Sequence, residues 1–237
     1  MKQYHKMVFQ ENIEKPGQNY FHKFCFSLCK KYIDNRLMLD VGCWSGSFEL
    51  YVTTSQIVAI DIEKKALMVG KRFCSSANFI LASALYFPFR KEIFDVVSMW
   101  NLIEHIPIRM EIRVFSESNR ILKPSGFLFL STENDHPVAN CLDSAWALAG
   151  HRHYSLTTLK ELLRASGFFV KTVHYKGGFI RALFIVIFYV FKHILHRPMP
   201  HIQVVDWLIE KEWRKEGFTM VFLHAQKTAM ESQEKMW

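Results

Sequence analysis

The chain has 237 residues, half of them apolar, so it can bury one sizeable core and suits one domain with appendages better than two full domains. Its formal charge of +8 admits an anionic partner or surface, but no dense Lys/Arg block occurs, which argues against nucleic acid. Cys25, Cys29, Cys43, Cys74 and Cys141 are odd in number and lack the paired C-x-x-C spacing of a zinc site, so they read as free thiols, not as metal ligands.

Residues 1–18 are polar, mixed in charge and contain Pro16 and Gly17; they read as a loose arm without the apolar stretch of a secretory signal, which points to a cytoplasmic setting. From Tyr20 to Ile33, the residues Phe21, Phe24, Cys25, Leu28, Cys29, Tyr32 and Ile33 recur at helical spacing and line one face of an amphipathic helix. Buried strands are expected at Arg36–Val41, Gln56–Asp61, Asn78–Ala82, Phe94–Met99 and Phe127–Ser131. Helices are expected from Gly46 to Thr53, Glu63 to Cys74 and Met110 to Leu122, the last stopped by a Lys123-Pro124-Ser125-Gly126 turn. A helix over Thr157–Ser166 ends at Gly167, and strands follow at Phe168–Tyr175 and Phe218–Ala225. Strands that are apolar on both faces and alternate with helices predict an α/β fold, a doubly wound, mostly parallel seven-stranded sheet.

The expected organisation is an N-terminal arm and helix (1–35), a central domain (36–177 plus 217–229) and a helical insertion (178–216) before the last strand. Within that insertion, Ala182–Phe191 is ten apolar residues without interruption, bracketed by Arg181 and Lys192. A membrane span needs about 20. The run therefore reads either as a cap buried over a cleft or as a helix dipping into a bilayer, with Arg181, Lys192, His193, His196 and Arg197 near headgroups.

The strongest local signal is Leu39-Asp40-Val41-Gly42-Cys43-Trp44-Ser45-Gly46. A strand ends, glycines turn sharply, and a helix N-terminus with free N–H groups is expected to follow. Asp61 closes the next strand, where an acid can accept both hydroxyls of a ribose.

These segments resemble the class I S-adenosylmethionine-dependent methyltransferases. LDVGCWSG is similar to their first motif, VAID to the second, LASALYFPF to the third, and FDVVSMWNLIEHI and RILKPSGFLFLST to the fourth and fifth strands with their flanks. HYSLTTLKELLRASGF resembles the helix and glycine before strand six. The branch that includes ubiquinone-pathway O-methyltransferases looks nearest. The resemblance implies a Rossmann-like methyltransferase fold and S-adenosyl-L-methionine as cofactor. It implies contacts from Asp40, Gly42, Cys43, Gly46, Asp61, Ile62, Ser83, Ala84, Trp100 and Asn101. Asp40 would reach the amino group, Asp61 the ribose, Ile62 the adenine face, and Ser83 and Ala84 the adenine edge.

This sequence departs from the family pattern twice. Trp44 stands where the family has the middle glycine of the first motif, and is strained if that position needs φ above zero. Ser83 replaces the usual acid of the third motif, offering a hydrogen bond without a charge.

Candidate proton acceptors are His105, His136 and His153, since histidine titrates near neutral pH; His105 can equally pack the turn before Pro107, and His151 and Tyr154 neighbour His153. Glu104 and His105 alone are too few ligands for a metal, so none is expected. The expected acceptor is a small, hydrophobic or lipid-like molecule methylated at oxygen or carbon. The rival readings are a non-catalytic binding or scaffold protein of the same fold, and a peripheral membrane enzyme acting on a lipid or prenylated ring.

Overall fold

The computed structural model describes residues 15–17, 19–53, 56–142, 152–197 and 202–228; most of the arm and His151 lie outside them. Helix α1 (Tyr20–Ile33) opens with Asn19, whose side chain accepts the His22 N–H. Then follow β1 (Leu37–Val41), β2 (Gln56–Asp61), α2 (Lys64–Phe73), β3 (Ala77–Leu81), β4 (Phe94–Trp100), α3 (Glu111–Ile121) and β5 (Leu122–Glu133). The chain continues with α4 (Pro137–Leu142), α5 (Leu156–Ala165), β6 (Phe168–Lys176), α6 (Phe179–Tyr189), α7 (Gln203–Trp213) and β7 (Met220–Lys227).

The seven strands form one sheet in the order β3-β2-β1-β4-β5-β7-β6. β1 to β5 pair in parallel, and β7 runs antiparallel between β5 and β6. The period-2 rule of strands sorts the core into two layers. Leu39, Val41, Val97, Met99, Leu128 and Leu130 meet Val114, Phe115, Leu159 and Leu163 from α3 and α5. Met38, Val96, Phe129 and Phe222 meet Cys25, Cys29, Ile33, Ile209 and Trp213 from α1 and α7. Cys25, Cys29, Cys43 and Cys74 are buried free thiols and Cys141 is an exposed one.

Two local expectations fail. No α-helix follows the glycine bend: residues 44–48 are turns, leading only to a 3-10 turn at Glu49–Tyr51. The segment between Gly46 and β2 is too short to lay a helix along the sheet and return. The Lys123–Gly126 turn does not separate α3 from β5 either. The strand begins at Leu122 and carries the segment as an irregularity, with the pairing register shifting between Phe94 and Val96 and Ser125 at φ 60°. Gly167 does end α5, at φ +79°.

Candidate active site

Strand order reverses at β1, which has β2 on one side and β4 on the other, and ligands of open α/β sheets bind beyond the strand ends at such a point. Two adjoining cavities lie there. One, of about 470 Å³, is lined by Phe21, His22, Asp40, Trp44, Trp100 and Asn101 among others. The second, of about 190 Å³, is lined by Ile60, Ala82, Ser83, Ala84, Ile106 and Pro107 among others. Gly42, Asp61, Ile62, Leu102 and His105 border both.

Asp61 is bound to the bend it faces. One of its carboxylate oxygens accepts the Trp44 N–H at 2.9 Å and the other the Glu63 N–H at 2.8 Å. Burial raises its pKa, and the N–H groups of Glu63, Trp44 and Ile62 oppose that rise. Each oxygen keeps lone-pair capacity for a further donor.

Asp40 is opposite Ser98 in the β1–β4 ladder, and the Ser98 hydroxyl donates to it. Glu49 lies beside it, fully buried. Burial lifts the Asp40 carboxyl to about 7 and Glu49 well above the carboxylate range. Neither Glu49 oxygen has a hydrogen-bond partner of good geometry, so the two carboxyls act on each other by burial and charge. Asp40, the less raised of the two, is the one that ionises first, and it lines the larger cavity.

Gly42 has φ +80°, and a Cβ there would sit 2.8 Å from Leu102 Cδ1. Gly42→Val is expected to cost about 1–2 kcal/mol through left-handed backbone strain, seen as a lower urea midpoint with unchanged slope. Trp44 has φ +50°, so the strained alternative holds at this position. Its indole forms part of the wall of the larger cavity without closing it. Cys43 lines the same cavity, with burial pushing its thiol pKa up. Asn101, at φ +51°, is held by the Ser131 hydroxyl, which donates to its side-chain oxygen at 2.8 Å. Ser83 borders the smaller cavity with its hydroxyl accepting the Leu85 N–H.

Three expected site residues stand apart from both cavities. Gly46 serves packing: at φ +88°, its missing Cβ leaves room for Phe79, which would be only 2.8 Å away. His136 accepts the Val138 N–H at the start of α4 and packs on Phe218. His153 pairs with Asn140 and borders a separate crevice with Arg181 and Glu133. His105 alone of the three histidines reaches the cleft, bordering both cavities. Its segment is pinned from below: Tyr154 donates to the Ile103 carbonyl and to Glu111, and Arg152 pairs with Glu111 and donates to the carbonyls of Ile103 and Ile106.

Sequence reasoning missed α1 as a wall. Phe21 and His22 line the larger cavity, and burial pushes the His22 imidazole down to about 4, so it is neutral at ordinary pH. Its only sequence signal was a histidine next to the apolar helical stripe.

Residues 39–130 match the family described as "Methyltransferase domain". A ubiquinone biosynthesis O-methyltransferase of Hydrogenovibrio crunogenus is 28% identical over 109 residues, 43% of this chain and 44% of that protein. The chain thus spans less than half the length of the curated relatives it matches first. Among solved structures, the cyclase SpnF superposes with TM-score 0.63 at 18% identity, over 88% of this chain and 82% of that one. Geranyl diphosphate C-methyltransferase of Streptomyces coelicolor A3(2), solved with S-adenosyl-L-homocysteine, gives TM-score 0.60 at 12% identity, over 87% and 79%. The chain thus folds as one seven-stranded sheet whose order reverses at β1, and its residues 39–130 match the methyltransferase-domain family.

Proposed function

We propose that this chain binds S-adenosylmethionine across the two adjoining cavities and methylates a small, hydrophobic acceptor at oxygen or carbon. The observation that carries the reading is the convergence of Asp40, Gly42, Asp61 and Asn101 on one cleft at the reversal of strand order.

The residues present suit the cofactor. The cavity volumes fall within or beside the roughly 300–1,000 Å³ usual for small-molecule sites. Asp61 has acceptor capacity for two ribose hydroxyls, and Ile62, 56% exposed, offers a flat apolar contact for adenine. Ser83 and Ala84 border the narrow end, and Asp40 presents a negative charge to the amino group. The cofactor supplies a methyl group on a sulfonium, a good leaving arrangement. This chain has to hold donor and acceptor in line and exclude water. Phe21, Trp44, Phe48 and Trp100 make the acceptor end apolar, which suits a hydrophobic ring or chain. For a hydroxyl acceptor, the new carbon–oxygen bond forms as the carbon–sulfur bond breaks and its electron pair goes to sulfur. His105, bordering both cavities, is the candidate to take the released proton.

Asp40 supplies the test. An ammonium group favours its ionised form, so affinity for S-adenosylhomocysteine is expected to rise by up to about tenfold per pH unit toward pH 7, then level off. Calorimetry at pH 6 and 8 reads this, and Asp40→Asn should flatten it. Absence of binding at both pH values would sink the reading.

A second reading, a non-methylating member of the fold, is favoured by Trp44 at φ +50° and by the cyclase among the structural neighbours. Cofactor-product binding without methyl transfer to any phenol or lipid acceptor would select it.

A further inference from the structure

We infer that α6 and α7 form a docking surface for an anionic lipid bilayer, independently of whether the cleft transfers methyl groups. Two faces of α6 differ sharply. Ala182 is buried, Ile180 and Phe184 pack on the core cluster that holds Trp213 and Phe222, and Arg181 pairs with Glu133 at 2.7 Å. The other face carries Phe179, Leu183, Ile187, Val190 and Ile194, recurring every three or four residues, and all five are exposed. Leu183 is 57% exposed and Ile194 70%. Phe218 meets the ring of Phe179 at the start of this stripe, and the rest stays exposed through α6 and the π-helical turn Val190–Ile194 behind it. Ile202, Val204 and Trp207 at the start of α7 are exposed as well.

The surface is held rigid from beneath. Glu212 of α7 accepts the backbone N–H groups of Gly178, Ile180 and Arg181 at 2.9–3.1 Å. A carboxylate thus caps the N-terminus of α6 from another helix and ties the two helices together.

Charge selects the occupant. From Phe179 to Arg197 the chain contains no Asp or Glu, while Lys192 and Arg197 follow the apolar run; α7 adds Asp206 and Glu210, the latter beside Arg214. Arg197 and His196 are exposed, and Lys211 lies over the Trp207 ring at 5.1 Å. An apolar stripe flanked by cations and an exposed tryptophan fits headgroup phosphates above acyl chains. A second copy of the same surface would bring these cations face to face. No helix among the described residues is long and apolar enough to cross a membrane, so the contact is in the plane of the surface.

The test is co-sedimentation of the full chain, without cofactor, with vesicles of phosphatidylglycerol and phosphatidylcholine in equal parts and with phosphatidylcholine alone. Binding to the anionic vesicles is expected, falling roughly tenfold or more in Leu183→Asp/Ile187→Asp and weakening in Arg197→Glu and in high salt. Circular dichroism and S-adenosylhomocysteine binding, unchanged in the variants, show that the fold and the cleft persist. The inference is overturned by absence of sedimentation, by equal binding to both vesicle types, or by full binding in the double variant. It is also overturned by a dimer in light scattering that the double variant dissolves.

Discussion

Replacing Asp61 with alanine will reduce S-adenosylhomocysteine affinity by about 100-fold or more. In the proposed complex this carboxylate accepts two ribose hydroxyls, and hydrogen bonds to a charged group are each worth about 1.5–3 kcal/mol. It already accepts the N–H groups of Trp44 and Glu63, so the substitution also releases the bend that forms the cleft. Asp61→Asn separates the two contributions. It keeps the size but turns one oxygen into a donor facing an N–H, and an intermediate loss is expected. Calorimetry gives the affinities, and thermal unfolding without ligand gives the cost of releasing the bend. An affinity unchanged in Asp61→Ala would mean that the cleft takes no nucleoside.

The second large effect is on stability and its pH dependence. Glu49 and Asp40 are buried together and both carboxyls are raised by burial. A carboxyl with a raised folded-state pKa favours folding below its unfolded value, near 4, and that contribution is lost as pH rises through the folded value, about 7 for Asp40. Glu49→Gln mimics the protonated form and does not titrate. The variant should match the natural protein near pH 4 and exceed it in stability at pH 8. Urea unfolding at the two pH values checks this. A variant less stable than the natural protein at pH 8 would show that Glu49 is ionised and paired.

The strands of the sheet could be read from the residues because each is a short apolar run with its own stop. Asp40 and Asp61 were legible as strand ends, and parallel pairing in register, Asp40 to Ala59 and Asp61 to Leu81, brings such ends to one edge. Harder were features that depend on a distant neighbour. Gly46 resembles a cofactor glycine, yet the ring of Phe79 claims the space beside it. His136 and His153 follow β5 in sequence, as a proton acceptor could, but His136 packs on Phe218 and His153 pairs with Asn140, apart from the cleft. His22 arrives from the opposite direction, on a helix that folds over β4, and no spacing rule connects it to Asp40. Glu49 falls within the stretch Gly46–Thr53 that was expected to be helical. With the helix reduced to one turn, its side chain goes inward.

The position of β7 has a consequence for the newborn chain. Residues 220–227 are the wedge between β5 and β6, so both of those strands leave the ribosome before the partner that joins them. Until it arrives, the open flanks of each are templates for wrong pairing with other chains. Cutting the gene before residue 220 should thus yield inclusion bodies, not a smaller soluble protein.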